Sequence, residues 1–176
     1  MSPIKKGEGK VLFIDNDVQR QLLTIEDCID AQEIAFKELA TGEATHRPRI
    51  DMYSPSDRED AYWRWGSMEG VSQNLGVFAI RMKSDILTWP VGEDGNWTEE
   101  KYNTKPGLFC GLVFLFSTRN GEPLAILNDG IIQHMRVGAA AGIGAKYLAR
   151  TNSHVVGMLG SGGMARSSLQ AFCAVR

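Results

Sequence analysis

Residues 154–176 read HVVGMLGSGGMARSSLQAFCAVR, and three kinds of local pattern meet in them. HVVGML is a short apolar run of the kind that forms a buried strand. Gly160, Gly162 and Ala165 then fit G-x-G-x-x-A, and an amphipathic helical run follows. Strand, glycine turn and helix in this order make a cradle for phosphate groups. The first glycine permits a tight turn. The second lets a pyrophosphate approach the backbone, and the small third residue allows close packing of helix on strand. The helix start adds unpaired N–H groups and the positive end of a dipole. Gly160, Ser161, Gly162, Gly163, Met164 and Ala165 are therefore the candidate cofactor contacts. A generic strand-to-helix turn of an unrelated α/β domain is the competing reading. A dinucleotide site also needs further βαβ units and an acidic residue after the second strand. The 176 residues hold only the first unit, so the expectation is an incomplete Rossmann domain. NAD and NADP stay equally open, because the ribose-reading residue is not among them.

Upstream of this unit, Asp129 or Gly130 opens a helix that runs to about Arg150 and is rich in small residues, with VGAAAGIGA at its centre. Small residues let a helix sit close against a neighbour. Arg136 and Lys146 interrupt the stretch, which is too short to cross a membrane. Before it, Leu108–Ser117 and Pro123–Leu127 flank TRNGE, a strong hairpin signal. Arg47–Tyr53, Trp63–Val71 and Val77–Lys83 are strand candidates. Asp85–Pro106 reads as a long excursion, in which Trp89 and Trp97 are candidates for a lid. Near the start, Val11–Ile14 reads as a strand, and Asp15 or Asn16 as the cap of a short helical turn. Thr24 is the N-cap of a helix of about four turns that Gly42 ends.

Composition narrows the function classes. The chain is 43% hydrophobic and 23% charged, which is globular rather than disordered. A formal net charge of −2 gives no electrostatic case for nucleic acid or an anionic membrane. Cys28, Cys110 and Cys173 are widely spaced among apolar neighbours, which implies reduced, buried thiols in a cytoplasmic protein. His46, His134 and His154 have no metal-ligand spacing, so no metal is expected.

With these pieces in order, the chain resembles the ornithine cyclodeaminase/mu-crystallin family. VLFIDNDVQRQLLTIEDCIDAQEIAFKELATGEATHRPR resembles the family's opening strand, helix and first arginine strand. GLVFLFSTRNGEPLAILNDGIIQHMRVGAAAGIGAKYLAR resembles its hairpin and arginine helix, and residues 154–176 resemble its first Rossmann unit. The resemblance implies an α+β substrate and dimerisation domain over 1–129, a connecting helix over 130–150, and the start of an α/β NAD(P)-binding Rossmann domain over 151–176. It also implies a homodimer and hydride transfer at the α-carbon of a small amino acid or its imine, most nearly as in ornithine cyclodeaminase. The alternatives are a crystallin-type NADP-binding or ketimine-reducing protein, and a non-catalytic dimerisation fragment.

A substrate of this kind presents a carboxylate, and the planar fork of arginine pairs both of its oxygens. The family uses a basic cluster for this. Arg49 in the PRI strand matches its first arginine, and Arg136 in HMR its helix arginine. Arg81 aligns with a strand lysine, and Lys83 shares its face by strand alternation, so either residue can serve. Val137 stands where the family commonly has threonine, and Met164 where it has glutamine. The family's catalytic aspartate lies beyond residue 176, which leaves the catalytic group unassigned. Without the resemblance, Arg49, Arg81 and Lys83 read as ordinary surface charges. Arg136 is different, because it shares a helix face with Ile132, Ala139, Ala140 and Ile143. A charge on an apolar stripe needs a partner or a ligand.

Overall fold

The computed structural model describes residues 9–102 and 110–176. Asp15 caps the first helix as expected: its carboxylate accepts from the N–H groups of Asp17 and Val18, and α1 runs Asn16–Leu22. Thr24 and Asp27 close a reciprocal capping box at the start of α2, Ile25–Thr41, and Gly42 ends that helix in a left-handed conformation. Such a cap contributes about 1 kcal/mol.

β1 (Leu12–Ile14), β2 (Ala44–Pro55), β3 (Tyr62–Ser72), β4 (Val77–Thr88), β5 (Glu100–Tyr102), β6 (Gly111–Ser117) and β7 (Pro123–Asn128) build one mixed sheet. The order is β1-β7-β6-β4-β3-β2, with β5 on β4 beyond the end of the β6 ladder. Only β1 and β7 pair in parallel; the other pairs are antiparallel. The excursion expected after Asp85 is shorter than its composition suggests. β4 continues to Thr88, and β5 returns against Ile86–Thr88. The polar Lys83, Ser84 and Asp85 hide the strand from a composition reading, because both charges point to one face and are buried there. The expected strand start at Leu108 lies outside the described residues. In the hairpin, Ser117 donates its N–H to Glu122 O and Gly121 donates to Ser117 O. Gly121 has φ +77° within the five residues, 118–122, that join β6 to β7.

Two helices follow the sheet, α3 (Gly130–Leu148) and α4 (Gly163–Val175). The small-residue stretch does what its composition predicts. A Cβ on Gly138 would overlap the Ser167 backbone, and one on Gly142 would lie 2.7 Å from the Ala171 Cβ. The two helices therefore touch almost backbone to backbone. Ile29 of α2, Ala139 of α3 and Ala171 of α4 form the buried centre of this layer, with Ile25, Cys28, Ile143 and Val175 around it.

Two expectations change. HVVGML pairs with no strand among the described residues, and Val155 and Leu159 are almost fully exposed. A strand exists only through ladder bonds to a neighbour, and no described strand lies beside it. Of the three thiols expected to be buried, Cys28 and Cys110 are half-buried while Cys173 is exposed. No helix among the described residues is long and apolar enough to cross a membrane.

Candidate functional site

Strand alternation and register gather the charges. Arg81, Lys83 and Asp85 occupy alternate positions of β4 and so share one face of the sheet. Their β3 partners are Met68, Gly66 and Arg64, and their β6 partners include Val113 and Gly111. Gly66 also pairs with Asp51 of β2. Lys83 thus stands in a cross-strand row of Asp51, Gly66, Lys83 and Gly111, with a glycine on each side. A Cβ on Gly66 would overlap Asp51 Oδ1 and lie 3.2 Å from Lys83 Cε. One on Gly111 would lie 2.9 Å from Asp129 Oδ2. Both glycines leave room for charged groups that reach over the sheet.

Four carboxylates hold the arginines of this face. Arg64 donates to Asp85 Oδ2 at 2.7 Å, with both side chains almost fully buried, and reaches Glu99 at 3.4 Å. Lys83 Nζ lies 3.5 Å from the same Asp85 oxygen. Among the described residues, Arg64 Nε and Asp85 Oδ1 have no hydrogen-bond partner. Arg49 pairs with Asp51 two residues along β2, at 2.8 Å and 2.5 Å. Arg81 clasps Asp129, with Nε 2.9 Å from each oxygen and a terminal nitrogen 2.5 Å from Oδ2.

Asp129 is the residue before α3, yet its side chain makes no cap bond. Arg81 has taken that carboxylate. The open N–H groups of α3 are served from α1 instead: Ile131 donates to Asn16 Oδ1 and Ile132 to Gln19 Oε1. Gln19 in turn donates to the Asn128 carbonyl at 2.7 Å. The short helix at the start of the chain therefore fixes where the arginine helix begins.

Arg136 stands at the border of the apolar stripe rather than within it: it is exposed, while Ala139 on the same helix is fully buried. Its guanidinium bonds Gln133 Oε1 at 3.2 Å and forms no ion pair among the described residues. Partial desolvation, then the nearby Arg81, lowers its pKa against the pull of Asp129. Arg136 thus feels both Arg81 and Asp129, yet among the described residues only Arg81 is held by that carboxylate. Arg47 lies on the opposite sheet face, paired with Glu69 as a surface charge.

Lys83 is 8% exposed. Burial lowers its pKa from the ordinary lysine value, helped by Arg64 and Arg49 and opposed by Asp85 and Asp51. Its titration midpoint, followed by the 13Cε resonance, is expected below those of the solvent-exposed lysines. Between the folded and unfolded midpoints the unfolded chain binds more protons, so this group alone makes stability rise with pH in that window. Its charge, and any carboxylate affinity it supplies, disappears at a lower pH than for a surface lysine. A midpoint at or above that of exposed lysines would contradict this.

The glycine turn begins at Gly160, with φ +94°, a conformation that only glycine takes without strain. Gly162 is the N-cap of α4, with no side chain to satisfy the helix start, and a Cβ on either glycine would meet open space. Gly163 needs its lack of a side chain for another reason: a Cβ there would lie 2.5 Å from the His134 ring. His134 is on α3, two residues before Arg136. Ser161 is exposed, and Met164 and Ala165 are half-buried. The uncapped N–H groups and the open turn fit one face of a pyrophosphate. Trp89, a lid candidate, packs at a tilt against Tyr62 and Tyr53 at ring distances of 5.6 Å and 6.3 Å, while Trp97 is largely exposed and bridges to Val91. No group of histidine, cysteine and acidic side chains among the described residues is arranged to hold a metal.

Asp51, Arg64, Asp85 and Asp129 escaped the sequence reading. Asp85 was within reach, since Arg81, Lys83 and Asp85 alternate, as do Arg49 and Asp51. Gly66 and Gly111 had no signal, because their neighbours come from other strands.

Comparison with known proteins gives this arrangement its context. Residues 96–176 match the family model described as ornithine cyclodeaminase/mu-crystallin family. The chain is 29% identical over 164 residues to an alanine dehydrogenase of Archaeoglobus fulgidus, covering 92% of this chain and 44% of that protein. Among solved structures it is similar to an archaeal alanine dehydrogenase dimer with bound NAD, with TM-score 0.73 and 28% identity. It is also similar to the Thermococcus litoralis Delta(1)-pyrroline-2-carboxylate reductase in complex with NADH and L-proline, with TM-score 0.71 and 28% identity. Each of these two matches covers 94% of this chain and 46% of the other. The chain spans a little under half the length of the relatives it matches. Residues 96–176 are thus similar to the ornithine cyclodeaminase/mu-crystallin family, and the similarity to these relatives extends over most of the rest of the chain.

Proposed function

We propose that this chain supplies the carboxylate-binding face and the first cofactor turn of a NAD(P)-dependent enzyme that acts on a small amino acid or its imine by hydride transfer at the α-carbon. The observation that carries the reading is the placement of Arg136. It is a guanidinium with no carboxylate partner among the described residues, close to a cationic sheet face and on the helix whose His134 touches the glycine turn. In this reading residues 1–129 form the substrate and dimerisation domain, 130–150 the connecting helix, and 151–176 the start of the Rossmann domain. The protein works as a homodimer.

Arg136 and Lys83 take the substrate carboxylate. Arg81, clasped by Asp129, contributes positive potential and holds the start of α3 in place. Arg49 closes the open side from the sheet edge. Gly160 to Ala165 would hold the pyrophosphate of the dinucleotide, through backbone N–H groups at the start of α4. The nicotinamide, when bound, supplies or accepts the hydride. The chain's own contribution is orientation: fixing the carboxylate on one helix and the cofactor turn against that same helix leaves the α-carbon little freedom.

Pyruvate, a carboxylate with no ammonium group, tests the first step. Hydrogen bonds to a charged group contribute about 1.5–3 kcal/mol. Arg136→Gln is therefore expected to weaken pyruvate binding about 10- to 100-fold in an NMR titration of the 176-residue chain. Equal affinity in the variant, or no saturable shift in the unaltered chain, would refute the assignment.

A further inference from the structure

We infer that Asp51 is an internal stand-in for the ligand's carboxylate, holding Arg49 until an incoming carboxylate displaces it. The inference rests on the reading above, that this face binds a carboxylate. Arg49 grips Asp51 through Nε and a terminal nitrogen, the same fork a free carboxylate would receive. Gly66 makes the arrangement possible, because any side chain there would occupy the place of Asp51 Oδ1 and crowd Lys83 Cε. The carboxylate of Asp51 thus lies over β3, with a guanidinium on one side and the lysine row on the other.

Position decides which of the three aspartates can yield. Asp85 and Asp129 are 1% exposed and hold arginines that are themselves mostly buried. Arg49 and Asp51 are 37% and 21% exposed, at the sheet edge. Breaking a buried pair strands a charge, whereas both charges of the partly exposed Arg49–Asp51 pair stay within reach of water. A ligand carboxylate can therefore replace Asp51 at small cost, and it cannot replace the other two. Arg49 beside it keeps the Asp51 carboxyl below its ordinary pKa, so the stand-in remains charged at neutral pH. The consequence is a specificity rule: while Asp51 is charged, it repels a second negative group on the ligand near the sheet edge.

Asp51→Asn keeps the shape and removes the charge. Pyruvate is expected to bind this variant about 3- to 10-fold more tightly than the unaltered chain in the same NMR titration, from the repulsion and competition removed. The gain is expected to vanish in Arg49→Ala/Asp51→Asn. Asp51→Ser, which also removes the charge, repeats the test without an amide. Unchanged or weaker pyruvate binding in both single variants overturns the inference. So does a selective loss of diamino acid binding with pyruvate unaffected, which would make Asp51 an ammonium anchor instead. The two failures are separable. If pyruvate binds the unaltered chain, is lost in Arg136→Gln, and is no tighter without the Asp51 charge, the stand-in falls and the carboxylate face stands. If pyruvate binds none of the chains, both fall.

Discussion

Asp129→Ala is expected to lower the unfolding free energy by about 3–5 kcal/mol, the usual cost of removing one partner from a buried ion pair. Asp129 is 1% exposed and its partner Arg81 16%. The variant leaves a guanidinium on the inner face of β4 with only a distant sulfur contact, to Met68 at 3.9 Å. Water cannot easily reach it, so the desolvation cost of the charge is left uncompensated. The change also removes the link between β4 and the residue that precedes α3, leaving Asn16 and Gln19 to hold the helix start. Urea unfolding measures the loss directly. Asp129→Asn, which keeps the shape and one acceptor, is expected to cost less than the alanine. A loss below about 1 kcal/mol for Asp129→Ala would mean that Arg81 swings to solvent, and the clasp would then not position α3.

Gly138→Ala is expected to destabilise the protein by about 1–3 kcal/mol or more, against the general rule for glycine in a helix. The rule is that alanine gains about 1 kcal/mol over glycine, because glycine loses more backbone entropy on folding. At Gly138 a packing effect of opposite sign wins. The added Cβ would overlap the backbone carbon and oxygen of Ser167, and backbone cannot rotate away as a side-chain tip can. Gly144, on the same helix, has nothing within 4 Å of the Cβ position. Gly144→Ala is therefore expected to raise the melting temperature while Gly138→Ala lowers it. Shifts of the same sign would show that α3 and α4 are not in contact as described. Ser167 and Ala171 belong to the helix that opens at the glycine turn, so loosening this seam also moves the turn relative to Arg136.

The two halves of the candidate site differed in how far sequence exposed them. The glycine turn was legible because its chemistry is local: Gly160 takes a positive φ and Gly162 starts a helix within three residues. Arg136 was singled out by helical spacing, although its place at the stripe's border rather than within it depends on how α2 and α4 pack around α3. Arg81 and Lys83 were left as equals by alternation, since both point to one face. Their environments separate them, with Arg81 clasped by Asp129 and Lys83 buried between two glycines. That difference arises from residues 17 to 48 positions away in the chain, and no local pattern carries it.

The sequence by itself determined the caps at Asp15 and Thr24, the stop at Gly42, the strands around the hairpin, the close-packing stripe of α3 and the turn at Gly160. These are set by interactions among residues within one or two turns of each other. Only the tertiary structure decided which charges are held and which are free. Cross-strand register puts Gly66 beneath Asp51 and brings Asp85 to Arg64, the turn into α3 gives Asp129 to Arg81, and Arg136 beside them is left without a carboxylate partner among the described residues. The same rule explains the one apolar run that did not become a strand. HVVGML has a strand's composition, but a strand needs a neighbour's backbone, and none of the described strands lies beside it.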